Sequence, residues 1–436
     1  MSDLPFGFGQ PSPEPGKPFD MNQLGAALQQ FGAMLQAGGS APDQGPVNWS
    51  MVTDVARKAL VAAGDPVVAD AEVRAVQDAV HLADVWLDPV VTFPATGAPA
   101  QAWSRSQWLE QTLPAWKVVV APIAEHVNQA MGQQGGAPLD LDALREQLPD
   151  QMRAMLPDEL PAEFAGMLQP MLAMVQQFSV IAFSTQLGQA LSELATGVLS
   201  SSDIGIPLTD NGRSALLPRN VADFGEGLGV PLDDLRLYVA LRESAHQRLF
   251  AHVPWLRPRI IGAVEAYARG MHIDGGRLQE ALDGVDMSSP DALAQVMSSG
   301  MLQPEDTPEQ RAATARLEAL LALVEGWVDD VVDAAIAERL PHAAQLREAM
   351  RRRRAAGGPA ERTFATLVGL ELRPRLLREA ATLFGVVRAG RGVEERDALW
   401  AHPDLLPTPD DLADPLGFLQ ETTQDWTFPE DPDAQE

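Results

Sequence analysis

The sequence predicts a mainly α-helical protein with one small element of β-structure. Alanine and leucine, both strong helix formers, are abundant among the 436 residues, whereas tyrosine occurs only twice and aromatic residues make up 6%. The 35 prolines and 35 glycines are spread along the chain, as is typical of many helices joined by tight turns. Because 46% of the residues are hydrophobic, the chain can bury a substantial core.

Composition also excludes several classes of function. The chain has no cysteine, which rules out disulfides, thiolate metal sites and cysteine nucleophiles. A net charge of −28 argues against general binding to nucleic acid, because phosphate contacts need a basic surface. The sequence has neither the pattern of a signal peptide nor an apolar run of about 18 residues. We therefore expect a cytoplasmic protein that does not bind membranes.

The first 47 residues are predicted to form a flexible segment with one short helix. Residues 1–20 are rich in Pro, Gly, Phe and Ser, and Gly38–Pro46 has the composition of a linker. Between them, Met21–Gln36 places apolar residues on one face of an amphipathic helix. This helix either docks on the folded body or serves as a contact for a partner.

Two domains and an acidic tail are predicted after this segment. Residues 48–200 keep helical spacing of apolar positions almost throughout and are expected to form a helical domain. Residues 201–402 form the second domain, which opens with two short apolar runs, Asp203–Leu208 and Ser214–Pro218. An Asn-Gly pair separates the runs, and this pattern is typical of a β-hairpin or small sheet. Residues 403–436 hold ten acids and no Lys or Arg, as expected of a solvated tail.

The second domain is predicted to contain two long helices. One begins after Pro231, with two aspartates in its first turn where the helix dipole favours anions, and ends at about Val253. The other spans about Thr307–Glu338. The basic run Arg351–Arg354 is interpreted as the solvated end of a further helix.

Charged residues fall on the apolar stripes of these two long helices. Arg242 and His246 lie on the stripe of the first helix, and Glu325 and Asp329 lie one turn apart on that of the second. Because an unpaired buried charge costs several kcal/mol, we expect Arg242 to pair with Glu325 or Asp329. Gly326 would let another backbone or a ligand approach closely.

These residues resemble the metal-binding helices of the zincin metallopeptidases. In zincins, two histidines four residues apart bind zinc, and the Glu after the first histidine acts as general base. The resemblance implies that Glu243 is the catalytic base, that His246 and Glu325 are metal ligands, and that Asp329 braces a ligand. Arg242 stands in place of the first histidine, and a guanidinium has no lone pair for a metal.

More narrowly, the chain resembles an actinobacterial family of zincin-like proteins described as hydrolases or zinc-dependent metalloproteases. The resemblance implies a multi-helix, gluzincin-like fold with a degenerate His-Glu-x-x-His motif, and it covers most of residues 200–410. The stretches that carry it are Asp203–Leu208, Arg242–Phe250, His252–Leu256, Glu325–Trp327, Gly369–Pro374 and His402–Leu406.

The sequence leaves two functions open. The resemblance implies a metallopeptidase or hydrolase that holds zinc and acts on peptides, laid as an added strand along Asp203–Leu208. Arg242 instead favours a non-catalytic relative, without zinc, that binds a peptide or protein or acts as a scaffold. His252 is a candidate replacement ligand six residues after His246, although a histidine at a helix end more commonly interacts with the dipole. The oligomeric state is not indicated.

Overall fold

The computed structural model of the protein describes residues 45–136, 162–209, 212–269, 307–337, 339–356 and 375–424. The expected helix Met21–Gln36, the segment Gly369–Pro374 and residues 425–436 of the predicted tail lie outside these residues, whereas residues 403–424 are described and contribute Leu412 to the core. Gly45–Glu436 form one compact unit. Among the described residues, one hydrophobic core includes residues on both sides of position 200, from Val47 to Leu412.

The described residues are mostly helical, which confirms the predicted fold class. None of the described helices is both long enough and apolar enough to cross a membrane. A short 3-10 helix also occurs at Pro403–Leu405. In chain order the α-helices are α1 (Trp49–Ala63), α2 (Asp70–Leu87), α3 (Arg105–Gly136), α4 (Ala162–Gly197), α5 (Pro218–Gly225), α6 (Leu232–His252), α7 (Leu256–Arg269), α8 (Pro308–Ile336), α9 (Ala343–Ala355), α10 (Arg375–Arg391), α11 (Val393–Ala398), α12 (Pro409–Ala413) and α13 (Pro415–Gln424).

The β-structure is a small sheet near residues 203–218, but its strands pair differently from a hairpin. Strand β2 (Ala215–Leu216) pairs in parallel with β1 (Gln101–Ala102), and Leu216 also forms an antiparallel bridge with Ser200. Residues 203–208 form turns and bends that are buried or half-buried, rather than a strand. The backbone of β2 is already paired on both sides, so the expected hairpin is absent from the described residues. Residues 203–208 consequently offer no exposed strand edge for a peptide.

The two predicted long helices begin where their sequences indicate. Thr307 caps α8 by accepting a hydrogen bond from the Gln310 backbone N–H at 3.1 Å, and Pro308 occupies the first helical position. Helix α6 follows Pro231 and carries Asp233 and Asp234 in its first turn. The predicted positions of both helices are confirmed.

Helix α6 is buried over most of its circumference, not on one stripe alone. Every residue from Leu237 to Leu249 is buried, because α2, α5, α8, α9 and β2 all pack against this helix. Its polar side chains must therefore find partners inside the protein, since an unpaired buried polar group is costly. This burial positions the candidate site.

Gly326 allows α8 and α10 to approach closely, as the sequence predicted. A Cβ atom placed on Gly326 would lie 2.5 Å from the Cβ of Ala380 and 2.7 Å from the backbone nitrogen of Ala381. Both distances are too short for real contacts. The absence of a side chain is therefore required by the packing of the two helices.

The substitution Gly326→Ala is expected to lower the free energy of unfolding by about 1–3 kcal/mol, because the added methyl group pushes α10 away from α8. Gly262→Ala in α7 is a matched control, since a Cβ there meets no atom within 4 Å. That change should raise stability by up to about 1 kcal/mol through helix propensity. Urea unfolding of both variants measures the difference, and effects of equal sign would contradict the packing argument.

A buried ion cluster at the candidate metal centre

Arg242 of α6 faces the two carboxylates of α8. Its Nη2 donates to Glu325 Oε2 at 2.7 Å, and its Nη1 donates to Asp329 Oδ1. Arg242 is 4% exposed and Glu325 is 6% exposed, so this pairing takes place away from water. The sequence left open which carboxylate Arg242 would bind, and in the structure it binds both.

A second guanidinium reaches the same carboxylates from α9. Arg354 donates to Glu325 Oε2, and its Nη1 lies 3.5 Å from Asp329 Oδ1. The interpretation of Arg351–Arg354 as a solvated helix end is wrong for Arg353 and Arg354, which turn inward and are partly buried. The four oxygens of Glu325 and Asp329 need more donors than Arg242 alone provides, and this need was the available signal for a further basic residue.

His246 completes the cluster through both of its ring nitrogens. Its Nδ1 lies 2.9 Å from the carbonyl oxygen of Arg242, and its Nε2 lies 3.0 Å from Glu325 Oε1. A carbonyl and a carboxylate are both acceptors, so an imidazole ring that donates from both nitrogens satisfies both contacts. In that form His246 offers no lone pair to a metal.

The charges in the cluster stabilise one another. Burial by itself would raise the pKa of Glu325, but the charges of Arg354, His246 and Arg242 outweigh burial and hold that pKa well below its ordinary value. Burial acts to lower the pKa of Arg242, but Asp329 and Glu325 raise it above the ordinary range. Arginine and glutamate are thus ionised at neutral pH.

Glu243 belongs to a different set of hydrogen bonds. Its Oε1 accepts from the Ser201 hydroxyl and from Gln247 Nε2 at 3.0 Å. Its Oε2 accepts from the Ser202 hydroxyl at 2.5 Å and from the Ser202 backbone N–H at 3.1 Å. The Ala215 N–H, 3.3 Å from Oε1, adds a contact with β2. The carboxylate is fully buried and its oxygens are occupied by donors.

The partners of Glu243 suit a structural role. A general base needs a free lone pair within reach of the proton that it abstracts. Here the carboxylate ties α6 to the turn at Ser201–Ser202 and to β2. The catalytic role that the resemblance implies for Glu243 remains a prediction. These partners were not predicted from the sequence, although Gln247 lies one turn after Glu243.

Residues 203–208 cover the ion cluster from the side of α9. Gly205 has a φ of +72°, and a Cβ placed on it would lie 3.0 Å from Glu325 Oε1, so glycine is required for this close approach. Asp203 fixes the start of the segment. It accepts from Arg353 Nη2 at 2.6 Å and from the Leu199 N–H at 3.0 Å.

The pairing of Asp203 with Arg353 should make stability depend on pH. Burial raises the pKa of Asp203, but the charge and hydrogen bond of Arg353 outweigh it, so the folded-state pKa lies below 3.8. A lowered pKa contributes stability that is present above about pH 3.8 and is lost as the pH falls further. Urea unfolding between about pH 5 and pH 3 should therefore show a shallower loss of stability for Asp203→Asn than for the native chain. If the free energy of unfolding fell equally steeply with pH in both proteins, the lowered pKa of Asp203 would be contradicted.

His252 does not join the cluster. It is the last residue of α6, where its Nδ1 lies 2.8 Å from the carbonyl oxygen of Arg248 and its ring stacks on Phe93 with centroids 5.9 Å apart. The interpretation of His252 as a residue of the helix end is confirmed. In this arrangement it is not a replacement ligand for His246 and Glu325.

The residues of the cluster do not fit a zinc ion as they stand. The two expected ligand atoms, His246 Nε2 and Glu325 Oε1, bond to each other, and Glu325 Oε2 accepts from two guanidiniums. A dication at this position would be repelled by Arg242 and Arg354. Among the described side chains, no group of three or more His, Asp or Glu residues could hold a metal ion.

The fold and this cluster define a helical protein in which two long helices bring an arginine, a histidine and two carboxylates together. A family model described as zincin-like metallopeptidase matches residues 47–419. The chain belongs to this family, which confirms the resemblance predicted from the sequence at that level.

A solved structure shows the same fold. It is described as a "putative hydrolase with a novel fold" from Chloroflexus aurantiacus, and the two chains are 19% identical with a TM-score of 0.58. The match covers 87% of this chain and 99% of the other. At this identity the likeness concerns the fold alone. No curated protein matches the chain.

Proposed function

We propose that this protein is a non-hydrolytic member of the zincin-like metallopeptidase family that binds a peptide or protein. One observation carries the proposal: Arg242, at the position of the first zinc-binding histidine, bonds to both Glu325 and Asp329. Membership of a family described as metallopeptidases supports a polypeptide as the ligand.

The chemistry of the cluster supports the absence of hydrolysis. Arginine stays protonated near neutral pH and cannot ligate a metal. The carboxylate of Glu325 is shared by three donors, and the carboxylate of Glu243 is occupied by hydroxyl and amide groups. Neither acid has an unshared oxygen directed at a substrate or a metal-bound water.

Elemental analysis of the purified protein tests this proposal. The native chain should contain no stoichiometric zinc and should leave peptides intact. The double variant R242H/R354M restores the histidine pair and frees Glu325 of the second guanidinium, so we expect it to gain zinc. The variant R242H/R352M is the matched control, because Arg352 is exposed and pairs with Glu348 instead. One zinc per native chain would overturn the proposal.

A metal-dependent peptidase is the second candidate function, and the family assignment favours it. The contact of 3.0 Å between His246 Nε2 and Glu325 Oε1 brings two of the implied ligands together, as this function requires. Both guanidiniums would have to leave the site. Cleavage of a peptide library that depends on added zinc and stops with a chelator would establish this function and refute the first.

A further inference from the structure

The C-terminal end of α6 forms a pocket that the ion cluster does not use. The cavity measures about 370 Å³, within the range of roughly 300–1,000 Å³ that is usual for ligand sites. Its lining includes three aromatic side chains, Phe93, Trp255 and Trp400, together with His252 and Glu394.

The aromatic walls are held in place by contacts within the protein. Trp255 and Trp400 stack with ring centroids 6.1 Å apart, and the Trp255 indole N–H donates to the Trp400 carbonyl oxygen at 3.0 Å. Phe93 stacks on His252 and also contacts Trp327 in the core. Because Trp400 is only 2% exposed and also stacks on Phe384, the half-buried Phe93 and Trp255 present the aromatic surface of the pocket.

Glu394 supplies a negative charge that no cation of the described residues neutralises. Arg248, on α6, binds Asp84 and Asp88, and Arg396, two residues after Glu394, binds Asp330 and Asp397. Asp397 also lines the pocket, but Thr92, Trp327 and Arg396 occupy its oxygens. Glu394 is exposed and remains available to a ligand.

His252 adds a hydrogen-bond acceptor. Its Nδ1 faces a carbonyl oxygen, that of Arg248, and so carries the proton as a donor. In the neutral ring this tautomer leaves the lone pair on Nε2. The pocket thus combines a carboxylate, an acceptor nitrogen and aromatic faces.

We propose that this pocket binds the arginine side chain of a polypeptide, an inference that rests on the proposed function as a peptide- or protein-binding protein. A guanidinium is planar, packs on aromatic faces and donates several hydrogen bonds in one plane, which suits Glu394 and His252. The net charge of −28 attracts a basic segment towards the protein.

Calorimetry with a synthetic pentapeptide on the full chain tests the proposal. The peptide is acetyl-Gly-Ala-Arg-Ala-Gly-amide, and its counterpart carries citrulline, which keeps the shape of arginine but has no charge. We expect the arginine peptide to bind and the citrulline peptide to bind at least about tenfold more weakly. Equal affinities, or no binding of the arginine peptide up to about 1 mM, would overturn the proposal.

Two neighbouring glutamates provide matched variants. E394Q should weaken binding of the arginine peptide about tenfold, whereas E395Q should leave it unchanged. Both residues are exposed on α11 and both changes remove one negative charge, but Glu395 does not line the pocket. An equal loss of affinity in both variants would show that only general charge attraction is at work, and it would refute the site.

Mass spectrometry of the peptide after incubation separates this inference from the proposed function. A cleaved peptide would refute the non-hydrolytic function, while the difference between E394Q and E395Q would still decide whether the pocket binds arginine. An intact peptide that does not bind would leave the non-hydrolytic function standing and refute the pocket.

Discussion

Glu325→Gln is expected to lower the free energy of unfolding by about 3–5 kcal/mol, the cost typical of breaking a buried ion cluster. The glutamate shares its carboxylate with Arg242, Arg354 and His246 in a site that is almost closed to water. Glutamine fills the same volume but leaves the two guanidiniums with Asp329 as their remaining carboxylate partner in the cluster. The loss of stability therefore measures the charge interactions of Glu325 and not its packing.

Chemical denaturation of the native chain and the variant measures this loss. Glu309→Gln, an exposed change in the first turn of the same helix, is the control and should cost less than about 1 kcal/mol. A loss for Glu325→Gln no larger than that of the control would show that the cluster contributes little to stability.

Glu243→Ala is expected to destabilise the protein by at least about 3 kcal/mol, because each buried donor left without an acceptor costs about 1–3 kcal/mol. The hydroxyls of Ser201 and Ser202 and the amide of Gln247 all donate to this carboxylate. Removing it also frees the turn at Ser201–Ser202, which leads into residues 203–208 above the ion cluster.

The next residue of α6 supplies the control for this substitution. Ser244 is buried, and its hydroxyl has no hydrogen-bond partner among the described residues, so Ser244→Ala should change stability by less than about 1 kcal/mol. A catalytic base would behave differently, since its removal would leave stability unchanged and abolish peptide cleavage. Unfolding curves of both variants, with peptide cleavage followed in parallel, therefore distinguish the two roles of Glu243.

The contacts within the ion cluster limit how far this member of the family can bind a metal as zincins do. Two helices bring His246 and Glu325 to bonding distance, while their role as metal ligands stays a prediction. The same approach brings in Arg242, and α9 adds Arg354. A site that holds two guanidiniums is suited to fixing helices together, which is the physical basis of the non-hydrolytic proposal.

The sequence by itself determined the helical class, the positions of α6 and α8, and the pairing of Arg242 with carboxylates of α8. Periodicity decides which residues of a helix face inward, and an inward charge requires an opposite charge nearby. The sequence also indicated that Gly326 would permit a close approach. A glycine inside a long helix lowers its stability, so close packing is the usual reason for one.

The tertiary structure alone decided which distant segments met these helices. Arg354 is 29 residues from Glu325, and Ser201 is 42 residues from Glu243, so no local pattern connected them. The Asn-Gly pair favoured a hairpin, but β2 pairs with β1, more than a hundred residues earlier. Local preferences are worth a few tenths of a kcal/mol to about one, whereas satisfying a buried carboxylate or a strand edge is worth more, so long-range partners prevailed.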